Sequence, residues 1–232
     1  MLAFLGAGTY RLIAIIFATQ QYTFAFDSFL SPSVQELIKT TVRKNNVQSF
    51  SCIAQCIKQE HPCIENLSIE QRTNKSIHVC LQSFSPLFCL NKNAVLLKNG
   101  CVVSYNNYSS NVLEKLPNIT HVSPQGEYCA TGPSPAFKKW LLQFPRSLLS
   151  HYAIQWADDY EIYLIDQNKL YKTIVCSVLN AINEGMIEKC QCIIREKNMN
   201  AQGTAPSIFY TADIRFEKQI IICSQRGGAY HG

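Results

Sequence analysis

Thiols and imidazoles are the side chains of this sequence that most invite a chemical reading. Eleven cysteines, at 52, 56, 63, 80, 89, 101, 129, 176, 190, 192 and 223, make an odd total that cannot pair completely within one chain. A zinc site draws its ligands from matched pairs. Here no C-x-x-C occurs, Cys52 and Cys56 lie four apart, Cys190-Gln-Cys192 is a single C-x-C, and five histidines (61, 78, 121, 151, 231) sit singly. We therefore expect no metal and no cofactor, and cysteines that are mostly free, buried, small apolar residues of strands and helices. A cysteine-dependent hydrolase or redox protein would need one thiol of low pKa beside a histidine, and the spacing alone singles out no such pair.

Other chemistry is equally thin. Glu60-His61 ends a predicted helix, and Asp158-Asp159 falls in a turn, where paired acids are usually solvated. G-x-S-x-G, a Walker loop, H-E-x-x-H and G-x-G-x-x-G are all missing, so an enzyme is not expected. Asp213 and Arg215, two apart on an expected strand, face the same side and either pair locally or leave Arg215 for recognition. N-x-S/T sequons stand at Asn66, Asn74, Asn107 and Asn118; in a chain rich in Asn and Ser they carry no functional weight.

Composition bounds what must position these groups. Of 232 residues, 47% are hydrophobic and 16% charged, which excludes a disordered chain and fits one domain or two small ones. The net charge is +5, but no basic run exceeds a pair such as Arg43-Lys44 or Lys138-Lys139, so no nucleic acid partner is expected. Residues 1–20 are apolar but broken by Arg11, Thr9 and two glycines. They read as an uncleaved signal anchor; the competing reading is an amphipathic or buried helix, because an arginine in mid-span costs about 2.5–3.5 kcal/mol. With no basic segment before it, charge gives no orientation.

Tyr22, Phe24 and Phe26 alternate with Thr23 and Ala25 as a strand. Ser33-Val34-Gln35-Glu36 after Pro32 reads as a capping box for a helix bearing Val34, Leu37, Ile38 and Val42. Ser51 is expected to cap a second helix, with Ile53, Cys56 and Ile57 on one face and its end at His61-Pro62. Strands over 64–71 and 76–82 follow, giving β-α-α-β-β. Beyond them, short strands are expected at 88–90, 94–97 and 101–103, with Asn99-Gly100 as a type I′ hairpin turn. A helix over about 136–150, strands over 152–156 and 160–165, and an amphipathic helix over 170–182 come next. The chain ends with the strand Tyr210 to Phe216, a Glu217-Lys218 turn, and a last strand from Gln219 to Ser224.

That last strand holds no proline and no charge, and one of its edges has no evident neighbour. Open edges are normally blunted, so this one reads as a reserved docking edge; the competing reading is that Arg226 to Gly232 folds back and caps it. Ile220 and Ile222 are expected on one side and Ile221 and Cys223 on the other.

Two stretches carry a family resemblance. Pro62-Cys63-Ile64-Glu65-Asn66-Leu67-Ser68-Ile69, then Ile77-His78-Val79-Cys80-Leu81 and Pro86-Leu87-Phe88, resemble the POTRA domain of the bacterial cell-division family FtsQ/DivIB, with Asn74 where the family usually has a turn proline. Leu116-Pro117-Asn118-Ile119 and the closing Asp213-Ile214-Arg215-Phe216 with Gln219-Ile220-Ile221-Ile222-Cys223 resemble the family's second domain. The implied fold is α+β: a membrane anchor (1–20), a POTRA domain (21–87), a C-terminal domain with an antiparallel sheet and packed helices (88–225) and a tail (226–232). The implied function is non-enzymatic: a scaffold of the division complex at the septum, single-pass in the inner membrane with its bulk outside the cytoplasm. An FtsK-like early component would bind the POTRA domain, and small bitopic FtsB/FtsL-like proteins would bind the C-terminal sheet through Arg215, Phe216, Gln219, Ile220, Ile221, Ile222, Cys223 and Ser224. The alternative is a POTRA-containing secretion or outer-membrane assembly component. That class should show repeated POTRA units or amphipathic barrel strands, and the sequence has neither.

Overall fold

The computed structural model describes residues 21–45, 49–73, 76–121, 133–167, 172–200, 208–216 and 219–226. The expected anchor, residues 1–20, lies outside them, and no described helix is long and apolar enough to cross a membrane. The described fold is α+β, with a three-stranded and a nine-stranded sheet, both mixed, and five α-helices. Two compact units divide the chain: Met1–Ser85 with Asn106–Val112, and Pro86–Tyr105 with Leu113–Gly232.

In the first unit β1 (Gln21–Phe26) is followed by α1 (Pro32–Lys44), α2 (Phe50–Glu60), β2 (Ile64–Thr73) and β3 (Ser76–Ser83). The sheet order is β1-β3-β2, with β3 parallel to β1 and antiparallel to β2. Both helix caps lie two residues earlier than expected. Ser31 Oγ, rather than Ser33, accepts from the Val34 N–H, with Pro32 preset in the first turn, and Ser49, rather than Ser51, accepts from the Cys52 N–H. Val34, Ile38 and Val42 on α1 and Ile53 and Ile57 on α2 are buried, as are Ile77, Val79 and Leu81, which alternate along β3. Each such side chain contributes roughly 1.5–3 kcal/mol through burial. The segment around Tyr108 is tied in by two backbone bonds, from the Ser31 N–H to the Asn107 carbonyl and from the Ser109 N–H to the Phe29 carbonyl, and by the Tyr108 hydroxyl, which donates to the Phe84 carbonyl.

The second unit holds β4 (Pro86–Leu90), β5 (Ala94–Leu97), β6 (Val102–Ser104), β7 (Asn118–His121), β8 (Tyr152–Asp158), β9 (Glu161–Asp166), β10 (Lys172–Cys176), β11 (Ile208–Asp213) and β12 (Ile221–Arg226). The short helix α3 (Ser110–Leu113), whose first three residues belong to the first unit, precedes β7 in the chain, while α4 (Pro135–Gln143) and α5 (Glu184–Asn200) pack Phe137, Trp140, Leu141, Ile187, Cys190 and Ile194 into one core with Ile154, Leu164, Ile174 and Ala212 of the sheet. The strand order is β12-β11-β10-β9-β8-β7-β4-β5-β6, mixed rather than purely antiparallel: β7 runs parallel to β4 and β8, and β11 runs parallel to β10.

Several expectations are corrected here. The helix expected over 170–182 is instead the strand β10, a β-branched run in which Thr173, Ile174, Val175 and Cys176 are all buried. A strand buried on both faces loses the alternation that would distinguish it. The helix expected over 136–150 stops at Gln143 before Pro145, and a 3₁₀ turn, Arg146–Ser150, takes over. Asn99-Gly100 does not form a type I′ turn, because only Gly100 has positive φ, at 81°. The Gly100 N–H donates to the Leu97 carbonyl and the Leu97 N–H to the Cys101 carbonyl, as in a three-residue loop with a glycine bulge. Both positive-φ positions of a type I′ turn fall instead at Asn91 and Lys92 (50° and 56°), between β4 and β5. The cysteines are not mostly buried: all ten described thiols are free, but Cys52, Cys56, Cys101, Cys192 and Cys223 are exposed. Cys129 lies outside the described residues.

Candidate functional site

Strand β12 terminates the nine-stranded sheet. It pairs antiparallel with β11 from Ile208↔Arg226 to Asp213↔Ile221, and no described strand pairs with its other side. The strand begins two residues later than expected, so Gln219 and Ile220 precede it, and it runs on past Ser224 to Arg226. Ile221 is 41% exposed, Cys223 and Ser224 are exposed, and Ile222 and Ile220 pack against the core.

Arg215 and Phe216 lie beyond the end of β11, although the sequence places them within that strand. Asp213 is the physical reason. After the Ile214 N–H donates to the Val175 carbonyl, the Arg215 N–H turns to Asp213 Oδ1 at 3.0 Å, which ends the ladder. The guanidinium closes on the same carboxylate, Nε to Oδ1 at 3.0 Å and Nη2 to Oδ2 at 2.6 Å. Burial opposes ionisation of Asp213, but the Arg215 side chain and backbone N–H outweigh it and hold the carboxyl below its ordinary value. Asp213 in turn raises the Arg215 pKa. Of the two readings of this pair, local pairing is the one found.

Just before the start of β12 lies a groove of about 870 Å³, lined on one side by Ile214, Arg215, Phe216, Gln219 and Ile220. Its other wall is the loop after β10 and the start of α5, with Leu179, Asn180, Met186 and Lys189. Phe216 is 51% and Leu179 73% exposed. Asn180 ties the walls together: its Nδ2 donates to the Ile214 carbonyl at 2.7 Å, while its own carbonyl accepts from Trp140 Nε1. Asn183 Oδ1 accepts the Met186 N–H and so starts α5.

The expected partner residues thus fall into two groups: Arg215, Phe216, Gln219 and Ile220 line the groove, and Ile221 to Ser224 run along the edge. Leu179, Met186 and Lys189 are not among the residues expected from the sequence. Their signal was the Asn183 cap followed by Met186, Ile187, Cys190 and Ile194 at helical spacing. Such a surface offers a backbone ladder and an apolar trough with cations on both walls, and it suits an extended segment with apolar side chains. Among the described residues, no three His, Cys, Asp or Glu side chains are arranged to hold a metal ion. No protein-family model matches the chain, and no curated protein matches it.

Proposed function

We propose that this chain is a non-enzymatic, membrane-anchored scaffold of the bacterial division complex, of the FtsQ/DivIB kind, bridging early and late septal components in the cell envelope. The observation that carries the reading is β12, a six-residue edge strand with no described neighbour on its outer side and no charge from Ile221 to Gln225. A strand from a small bitopic FtsB/FtsL-like protein adds to that edge, and flanking apolar residues enter the groove at Phe216 and Leu179. The β-α-α-β-β order and β1-β3-β2 sheet of the first unit suit a POTRA domain that receives an FtsK-like component. Residues 1–20 anchor the chain in the inner membrane, with the two units on its outer side.

The test is capture of FtsB/FtsL-like proteins by the full chain from detergent-solubilised membranes, quantified by mass spectrometry, for Ile222→Pro and Cys223→Pro. Successive N–H groups point to opposite edges, so one proline breaks the β11 ladder and the other removes only an outward donor. The variant that keeps the second unit's thermal transition is expected to lose capture. Undiminished capture by that folded variant rejects edge docking.

A further inference from the structure

The uncovered face of the first unit's sheet places a nucleophile, a base and an orienting hydroxyl in a row. Alternation along β3 sends Ile77, Val79 and Leu81 into the core and leaves His78 and Cys80 half-exposed on the opposite face. Cys80 Sγ lies 3.0 Å from His78 Nε2, and Thr23 Oγ1, on the paired position of β1, lies 2.8 Å from His78 Nδ1. Thr23 Oγ1 donates its own proton to the Ile77 carbonyl. With the Thr23 hydroxyl turned to the Ile77 carbonyl at 3.4 Å, the Nδ1–H tautomer of His78 finds its acceptor in Thr23 Oγ1, and in that tautomer Nε2 is bare to accept the Cys80 S–H. When the thiol proton moves to Nε2, both ring nitrogens become donors and the same two partners still satisfy them. The arrangement serves the neutral pair and the thiolate–imidazolium pair alike.

We propose that Cys80 is an activated thiol that undergoes exchange with low-molecular-weight disulfides, with His78 as its base and Thr23 as the residue positioning the imidazole. The Cys80 sulfur attacks one sulfur of the external disulfide while its proton passes to Nε2. A bond forms between Cys80 and that sulfur, the external S–S bond breaks, and the departing thiolate takes the proton from Nε2. Cys80 is oxidised, the released thiol is the reduced product, and no other oxidant is needed. Of the groups facing His78 and Cys80, Ala25 on β1 and Ser68 on β2 flank Cys80, and Glu70 on β2 stands opposite His78. Glu70 is the charged member of these. This inference is independent of the division-scaffold reading.

The test treats the full chain with 5,5′-dithiobis(2-nitrobenzoate) and resolves the rate at each cysteine by mass spectrometry, with the exposed Cys52, Cys56 and Cys101 as internal references. At about pH 6, where ordinary thiols are almost wholly protonated, Cys80 is expected to react at least about tenfold faster than any reference. His78→Gln should bring its rate down to the references or below, and Thr23→Val should remove part of the advantage. A wild-type Cys80 no faster than Cys101 overturns the proposal without any variant. A fast rate that survives in folded His78→Gln overturns the assignment of the base.

Discussion

Strands β2 and β12 both close a sheet at one end, yet they are built differently. β2 exposes Glu65, Glu70 and Arg72, and its register with β3 shifts near both ends. Charges and irregularities of this kind stop another chain from pairing. β12 pairs in regular register along its length, has its first charge at Arg226, and shows solvent an isoleucine. The other end of its sheet, β6, is only three residues long. β1 is uncharged too, but Lys39 and Arg43 cover the rings of Phe26 and Phe24. A long, regular, uncharged edge is a pairing hazard, and among the described edge strands β12 has that character most fully.

The largest effect should come from the cores beneath the two edges. Leu164→Ala removes a fully buried side chain of the second unit and should cost about 2–5 kcal/mol, lowering that unit's calorimetric transition and weakening capture at β12. Ile57→Ala, equally buried in the first unit, should cost a similar amount and leave capture at β12 intact. If both substitutions weaken capture alike, the edge is not where the difference lies.

Giving β12 the defence of β2 is the next test. Ser224→Lys should reduce partner affinity several-fold, about 1 kcal/mol, with little change in stability. Removing the defence from β2 with Glu70→Val and Arg72→Val should make the protein self-associate, as analytical ultracentrifugation would register.

A smaller effect concerns the turn that frees Arg215 from the sheet. Because Arg215 holds the folded-state pKa of Asp213 below the ordinary 3.8, the pair's stabilisation is fully present above that value and is lost as pH falls through the folded pKa. Wild type should therefore exceed Asp213→Asn in urea stability at neutral pH, and the gap should close on acidification. A gap independent of pH would assign the effect to packing. Smallest of all, Ser49→Ala should cost about 1 kcal/mol in the first unit alone, seen as a shift of its thermal midpoint.

How much of this was legible in the sequence follows from burial. The first unit could be read because β1 and β3 are covered on one face and keep a period of two, and because α1 and α2 carry one apolar stripe each. β10 does not show that period, because it is buried on both faces. The expected β11 lies two residues late at its start and three late at its end, because a local Asx turn at Asp213 stops the strand, and the expected β12 lies two residues early at both ends. The type I′ turn was assigned to Asn99-Gly100 on composition, whereas Asn91 adopts it with help from outside the hairpin: its N–H donates to the Ile119 carbonyl and its Oδ1 accepts the His121 N–H. Exposure of Cys52 and Cys56 on α2 was hidden by their apolar type. Thr23 joins His78 and Cys80 only through the parallel register of β1 and β3.

Amide hydrogen exchange resolved along Ile221–Arg226, with and without the small bitopic partner, tests edge docking most directly. Docking predicts that alternate amides of β12, those not already bonded to β11, become protected on binding, while the amides of β2 do not change. Binding that leaves every β12 amide as it was would contradict it.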